Sequence, residues 1–312
     1  NTDWNSKPPR LIWKIDMTDD GYSGPSIVGN MLYIIDHVGE NDVVRCINTK
    51  TGKDIWKTPY PNPEKPDFGF TRATPAVSKG MLVTLSRWGL VVCLDAKTGK
   101  QIWTRDTKKD YPGPISEWGY GASPVIDENK VIIVPGSKDA CIVALDLKTG
   151  KTIWTGGGSD PMAWTTPVVA TINGIRQYIA LTASRITSVN AKDGHILWQF
   201  DYKTQNSGNI ASPIVIGNKI FVTASYNMGC AMIQIGSDNT PSLVWRNKAI
   251  QAHFNTPVYI NGFIYGISDP ENLVCLDAAD GSVKWMQPGF EKGPVMSVGG
   301  YLIAIAGNTG QI

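Results

Sequence analysis

Short apolar segments that alternate with polar residues recur along the whole chain and indicate β-strands. In one unit, such segments cover Ser123–Asp127, Lys130–Gly136 and Cys141–Asp146, and a fourth follows at Lys151–Trp154. A period of two and many β-branched residues mark these segments as strands, and turns containing Asn-Gly, Lys-Gly or Lys-Thr-Gly separate them. Helical spacing is absent. Each unit is therefore predicted to be a four-stranded antiparallel meander.

A phrase that ends in tryptophan repeats along the chain. The phrase CLDAKTGKQIW at Cys93–Trp103 has copies ending at Trp56, Trp154, Trp198 and Trp285, a degraded copy at Trp245 and a bare tryptophan at Trp13. These tryptophans are about 40 to 50 residues apart, which is the period of propeller blades. A rigid indole suits packing between neighbouring sheets, so we interpret all seven, including Trp103, as structural.

A proline step precedes the first strand of each unit, at Pro25, Pro75, Pro124, Pro167, Pro213, Pro257 and Pro294. These steps predict an all-β, seven-bladed β-propeller with four-stranded antiparallel blades, in which residues 1–312 form one domain and residues 1–10 an N-terminal extension. We expect the N-terminal strand Leu11–Ile15 to pair with the C-terminal strand, which would remove the open edge. The chain ends within an expected third strand, so eight blades are the alternative if a C-terminal tail is missing.

Charge and hydropathy exclude several classes of partner. The formal net charge is only +2 and both signs are mixed throughout, which argues against a nucleic-acid partner. No apolar run approaches the roughly 20 residues needed to span a bilayer. Residues 1–10 lack the apolar stretch of a signal peptide. We expect a periplasmic or secreted protein whose signal peptide has been removed.

The cysteines are interpreted as small buried side chains. There are five, so at least one thiol is unpaired within the chain. Cys46, Cys93 and Cys275 occupy the same place in three repeats, where Ala144 stands in a fourth. The chain contains neither a Cys-x-x-Cys motif nor two adjacent cysteines.

The repeated phrase resembles the tryptophan-docking motif of pyrroloquinoline-quinone-type (PQQ-like) repeats. The resemblance covers nearly the whole chain and implies a β-propeller. The same repeat builds quinone-dependent alcohol and sugar dehydrogenases, and also non-enzymatic scaffolds such as the lipoprotein that assists outer-membrane β-barrel assembly. In the enzymes the quinone typically stacks between a tryptophan and a disulfide of adjacent cysteines, beside a calcium held by Glu, Asn and Asp. This chain departs from that pattern because it has no adjacent cysteines, so no cofactor is firmly implied.

The variable face of the predicted propeller is the expected ligand site. It carries the connections between blades and the loops between second and third strands, where residues differ from repeat to repeat. The candidate binding residues are Tyr22, Phe70, Arg72, Arg87, Trp88, Trp118, Tyr120, Trp164, Arg185, Asn209, Tyr226 and Asn255. The opposite face has short, uniform turns.

Candidates for chemistry lie on the same face. Glu117, Asn209 and Asp269 carry the oxygen donors that calcium prefers. Glu117, Asp269 and His253 are the candidates for a catalytic proton acceptor. Arg72 and Arg87 could pair with a carboxylate.

Two functions follow from these observations. The first is a non-catalytic propeller that binds a protein, or a polymer or carbohydrate fragment, on its variable aromatic face. The alternative is a PQQ- and calcium-dependent dehydrogenase that oxidises an alcohol or sugar. An enzyme requires carboxylate, amide and basic groups to converge on one pocket, whereas a scaffold requires only an exposed patch.

Overall fold

Antiparallel sheets make up nearly all of the regular structure. The computed structural model describes residues 6–63 and 68–312, which form 26 strands, a one-turn helix α1 (Thr107–Asp110) and a 3-10 turn (Gln205–Ser207). The strands group into seven sheets, six of four strands and one of two, and each sheet is a meander of consecutive strands. Successive meanders of this kind are the architecture of a β-propeller.

The first four sheets follow the chain in order. Sheet 1 contains β1 (Ser26–Val28), β2 (Met31–Val38), β3 (Asn41–Asn48) and β4 (Asp54–Pro61). Sheet 2 contains β5 (Ala76–Ser78), β6 (Met81–Leu85), β7 (Leu90–Asp95) and β8 (Gln101–Asp106). Sheet 3 contains β9 (Val125–Asp127), β10 (Lys130–Ile133), β11 (Ile142–Asp146) and β12 (Thr152–Gly156). Sheet 4 contains β13 (Val168–Ile172), β14 (Ile175–Leu181), β15 (Arg185–Asn190) and β16 (Ile196–Asp201).

The remaining sheets continue the pattern. Sheet 5 contains β17 (Ile214–Ile216), β18 (Lys219–Ala224), β19 (Gly229–Ile235) and β20 (Pro241–Asn247). Sheet 6 contains β21 (Val258–Ile260), β22 (Phe263–Ser268), β23 (Asn272–Asp277) and β24 (Val283–Gln287). Sheet 7 contains β25 (Val295–Val298) and β26 (Tyr301–Ala304). None of the helices in the described ranges has the length and hydropathy needed to cross a bilayer.

Sheet 7 and the N-terminal segment differ from expectation. Within residues 6–63 and 68–312, sheet 7 has two strands and Leu11–Ile15 belongs to none, so the expected pairing of the terminal strands does not form. The indole of Trp13 instead holds this segment against sheet 1, because its Nε1 donates to the carbonyl of Thr49 at 2.7 Å. Leu11 and Ile12 are left largely exposed.

The repeated phrase forms the turn between the third and fourth strands. In sheet 2, Asp95 ends β7, and its Oδ1 accepts hydrogen bonds from the amides of Lys97 and Thr98 at 3.1 and 2.8 Å. Gly99 has a φ of 73°, which glycine adopts without steric cost. The spacing that repeats within the phrase is therefore that of a hairpin turn stabilised by the aspartate side chain.

The ladder register explains the repeated cysteines. Cys46, Cys93 and Cys275 stand directly opposite the tryptophans of the phrase, at Trp56, Trp103 and Trp285. All five cysteines are buried and free. A small apolar residue at this place leaves room for the indole opposite, as the sequence interpretation required.

The core lies between neighbouring sheets, and several tryptophans span that gap. In three cases the indole Nε1 donates a hydrogen bond to a backbone carbonyl in a turn of the following sheet. Trp56 donates to Ala96 at 3.2 Å, Trp103 to Leu147 at 2.9 Å and Trp245 to Ala278 at 3.1 Å. Trp198 differs, because its Nε1 donates to Oε1 of Gln177 in its own sheet at 2.9 Å. Trp285 is 42% exposed.

Candidate binding site

A cavity of about 750 Å³ lies where the connections between sheets converge. Its walls come from the segments that precede the first strands of sheets 1 to 6, together with the loop between β18 and β19. The lining residues are Tyr22, Phe68, Arg72, Thr74, Trp118, Gly121, Trp164, Thr166, Gly208, Ile210, Ser212, Tyr226, His253, Phe254 and Thr256. Its size falls within the range of roughly 300–1,000 Å³ that is typical of ligand sites.

Aromatic rings form a continuous series along this cavity. Tyr22 stacks on Phe254 with ring centroids 6.0 Å apart, and Phe254 stacks on His253 at 4.0 Å. Tyr226 meets His253 edge-on, and its hydroxyl lies 3.1 Å from Nε2 of the imidazole. The rings come from segments distant in the chain, so the fold itself assembles the series.

Two tryptophans form the other aromatic part of the lining. The rings of Trp118 and Trp164 are tilted, with centroids 5.7 Å apart. The indole Nε1 of Trp164 donates to the carbonyl of Gly119 at 2.9 Å, and its backbone amide donates to the carbonyl of Asn209 at 2.9 Å. Trp164 is therefore fixed at both its backbone and its side chain.

Each of the two stacked rings has a cation close to it. The guanidinium of Arg72 lies 5.6 Å from the ring centre of Tyr22, and Nζ of Lys292 lies 5.6 Å from that of Phe254. Burial lowers the pKa of Arg72, while Tyr22 and Asp19 act in the opposite direction. The guanidinium still ionises fully near neutrality.

His253 is the titratable imidazole of the lining. Burial lowers its pKa, the ammonium of Lys292 adds to this effect, and the carboxylate of Asp269 opposes it. The shortest distance from Nδ1 of His253 to the carboxylate of Asp269 is 3.8 Å, which is too long for a hydrogen bond. Asp269 instead accepts a hydrogen bond from the hydroxyl of Ser225 at 2.7 Å.

Five of the residues expected on the binding face line the cavity: Tyr22, Arg72, Trp118, Trp164 and Tyr226. Others lie behind it. Arg87 is 2% exposed, and its guanidinium donates to the carbonyls of Gly69 and Glu117 at 3.4 and 3.3 Å. The same guanidinium lies over Trp88, and Tyr120 is buried. These residues support the loops that shape the lining.

The remaining expected residues are also placed behind the lining or beside it. Phe70 stacks on His37 with ring centroids 3.4 Å apart. Asn209 is fully buried, and its side-chain amide donates to the carbonyl of Thr182 at 2.7 Å. Asn255 is buried, and Arg185 begins β15 outside the lining.

The residues present do not fit a quinone and calcium centre. Of the three oxygen donors considered for calcium, Glu117 is exposed, Asn209 is buried against Thr182 and Asp269 is engaged by Ser225. Within the described ranges, no group of three or more His, Cys, Asp or Glu side chains could hold a metal. The described lining contains no aspartate or glutamate.

Hydroxyl groups of the lining were missed, although the sequence carried a signal for them. Thr74, Thr166, Ser212 and Thr256 are the residues that directly precede the repeated prolines. The hydroxyls also join neighbouring sheets: Thr74 accepts from the amide of Gly24 at 3.1 Å, and Thr256 accepts from the amide of Ser212 at 3.0 Å. The Ser/Thr-Pro step thus marks both a strand start and the wall of the cavity.

Comparisons with known proteins agree with this fold. Residues 39–287 match the family described as outer membrane protein assembly factor BamB. The BamB of Moranella endobia (strain PCIT) is 24% identical over 190 residues, which cover 54% of this chain and 44% of that protein. The chain thus matches less than half the length of this curated relative.

Solved structures show the same architecture. BamB from Moraxella catarrhalis superposes with a TM-score of 0.69 and 16% identity, over 94% of this chain and 82% of that one. The computationally designed Ika8 protein superposes with a TM-score of 0.54 and 12% identity, over 92% of each chain. Since the family match takes in well over half of its residues, the chain belongs to the BamB family of PQQ-like repeat propellers.

Proposed function

We propose that this propeller is a non-catalytic periplasmic protein that binds a protein partner at its aromatic cavity and acts in the assembly of outer membrane proteins. The role in outer membrane protein assembly is inferred from the description of the family that the chain matches. The non-catalytic binding role is inferred from the composition of the described cavity lining. This lining combines aromatic rings, hydroxyls and glycines with one arginine and one histidine, and it has no carboxylate.

The geometry gives little support to catalysis. In triad-type sites a third group orients the base, and the 3.8 Å separation of His253 and Asp269 is too long for that hydrogen bond. Glu117, the other candidate, lies outside the lining. The comparisons also give no support to a carbohydrate ligand.

Exposed aromatic side chains favour a protein partner. Tyr22 and Phe254 are 56% and 50% exposed although they stack on each other. Aromatic residues are enriched at protein interfaces because they bury a large area at a low cost in conformational entropy. The pair therefore presents a rigid apolar surface to a partner.

Complementation of a deletion strain tests this proposal. The wild-type gene should restore the amount of folded, heat-modifiable β-barrel proteins in the outer membrane. A Tyr22→Ala, Phe254→Ala double variant should restore less than half of it. The matched control is Tyr301→Ala, because Tyr301 is 58% exposed but lies outside the lining. Full restoration by the double variant, at equal protein levels, would refute a role for the cavity.

A further inference from the structure

We propose that the cavity recognises an acidic segment of the partner, in which a carboxylate binds Arg72 and a neighbouring apolar or aromatic side chain packs on the rings beside it. This inference rests on the proposed function and specifies the chemistry of the bound segment. Its basis is the position of a cation within an aromatic lining.

Arg72 has unused hydrogen-bonding capacity. Its Nη2 donates to the carbonyl of Phe68 at 2.7 Å, whereas its buried Nε has no hydrogen-bond partner. A guanidinium has five N–H donors in a planar fork that matches a carboxylate. Because Nε is buried, a carboxylate in the cavity would accept from the Nη N–H groups that do not bond Phe68.

The charge around Arg72 is only partly balanced. Asp19 is the carboxylate that acts electrostatically on the guanidinium, but it is already engaged by the amides of Phe70 and Thr71 and by the hydroxyl of Thr71. Burial is the largest influence on the pKa of Arg72 and lowers it. An anion in the cavity would offset this loss of solvation.

The remainder of the lining suits an apolar side chain next to the carboxylate. The ring of Tyr22 is close to both the guanidinium of Arg72 and the ring of Phe254. The ammonium of Lys292 lies 5.6 Å from the ring centre of Phe254 but also pairs with the carboxylate of Asp269 at 3.8 Å, so Arg72 is the cation of the lining that a ligand carboxylate would bind. The volume of about 750 Å³ suits a short segment of chain and not a folded domain.

Matched peptides test the inference on the full chain. The probes are fluorescein-labelled Gly-Phe-Asp-Phe-Gly with a C-terminal amide and the same peptide with Asn in place of Asp, measured by anisotropy. We expect the acidic peptide to bind at least about tenfold more tightly, as a charge-assisted pair would give. The preference should decrease as salt concentration rises.

Variants assign the preference to a residue. Arg72→Gln should bring the two peptides to within about twofold, whereas the control Arg185→Gln, which alters an arginine outside the lining, should keep the preference. Circular dichroism establishes that each variant is folded. Equal binding of both peptides to the wild type, no binding of either at millimolar concentration, or an unchanged preference in Arg72→Gln would overturn the inference.

The two proposals fail in different ways. If the Tyr22, Phe254 double variant loses complementation while the wild type shows no preference for the acidic peptide, the cavity binds a partner of other chemistry. If the acidic peptide is preferred but the double variant complements fully, the site is real and its role in assembly is wrong.

Discussion

The backbone amide of Thr74 donates a hydrogen bond of 2.9 Å to the hydroxyl of Ser123, joining the connections that lead into sheets 2 and 3. The amide of Ser123 in turn donates to the hydroxyl of Thr166 at 3.1 Å, before sheet 4. Together with the bonds from Gly24 to Thr74 and from Ser212 to Thr256, four hydroxyls that directly precede a first strand's proline accept a bond from the equivalent residue of the sheet before. These bonds fix neighbouring sheets near the cavity.

Ser123→Ala should lower the free energy of unfolding by about 1–3 kcal/mol, because it leaves the amide of Thr74 without its acceptor. Urea denaturation followed by tryptophan fluorescence measures the change. Ser297→Ala, at an exposed position of β25, is the control and should change stability by less than about 0.5 kcal/mol. An equal effect of the two substitutions would contradict a bridging role for Ser123.

Alanine substitutions at two glycines with similar φ angles distinguish how indole packing and backbone strain each affect stability. Gly150 has a φ of 69°, and an added Cβ would lie 2.7 Å from the ring of Trp103. Gly217 has a φ of 61° and open space around it. Both alanine variants should lose about 1–2 kcal/mol from left-handed strain, and Gly150→Ala should lose more because the indole must move. Thermal or urea unfolding gives the comparison, and equal losses would show that contact with Trp103 is unimportant.

Much of the fold follows from local sequence, whereas the site depends on tertiary contacts. Period-two alternation and the tryptophan phrase predicted the sheets, and proline after Val134 explains why β10 ends at Ile133, since proline cannot donate to a ladder. The sequence could not show that Arg87 turns into the protein while Arg72 lines the cavity. Both are arginines in variable loops, and only the packing of neighbouring segments distinguishes them. Tertiary contacts also decide the conformation of Leu11–Ile15. Its sequence pattern is that of a strand, but the indole of Trp13 within it donates to the carbonyl of Thr49.

Asp127 should make the stability of the protein depend on pH in the acidic range. A hydrogen bond from Arg176 lowers the pKa of Asp127, burial opposes this, and a hydrogen bond from Tyr178 adds to the lowering. These contacts link β9 of sheet 3 to β14 of sheet 4. The folded-state pKa lies below the unfolded one, so the stabilisation is present above the ordinary aspartate pKa of about 3.9 and is lost as pH falls through the folded value.

Asp127→Asn tests this linkage. The difference in unfolding free energy between wild type and variant should be largest near neutral pH and should shrink as pH falls below about 4. Urea denaturation at a series of pH values measures it. A difference that stays constant down to pH 3 would mean that the Asp127 carboxylate is not the group responsible.

His253 offers a direct check on the electrostatics of the cavity. Lys292 lowers the pKa of this imidazole and Asp269 raises it, while burial is the largest influence and lowers it. Lys292→Gln should therefore raise the pKa of His253, and Asp269→Asn should lower it. The chain has only three histidines, so nuclear magnetic resonance titration can follow each ring separately. The ring signal of His195, which is exposed and contacts Asp193 on a distant turn, serves as the reference resonance.

The same titration, repeated with the acidic peptide bound, connects this check to recognition. Arg72 lies over Tyr22, Tyr22 stacks on Phe254 and Phe254 stacks on His253, so an anion held at Arg72 shares one lining with the imidazole. A bound carboxylate would favour the imidazolium, so the pKa of His253 should rise with the acidic peptide and rise less with its neutral counterpart. By linkage, protonation of His253 should tighten binding of the acidic peptide as pH falls through the histidine's pKa, before the ligand carboxylate itself protonates. An identical response to both peptides would contradict electrostatic coupling between the bound carboxylate and His253.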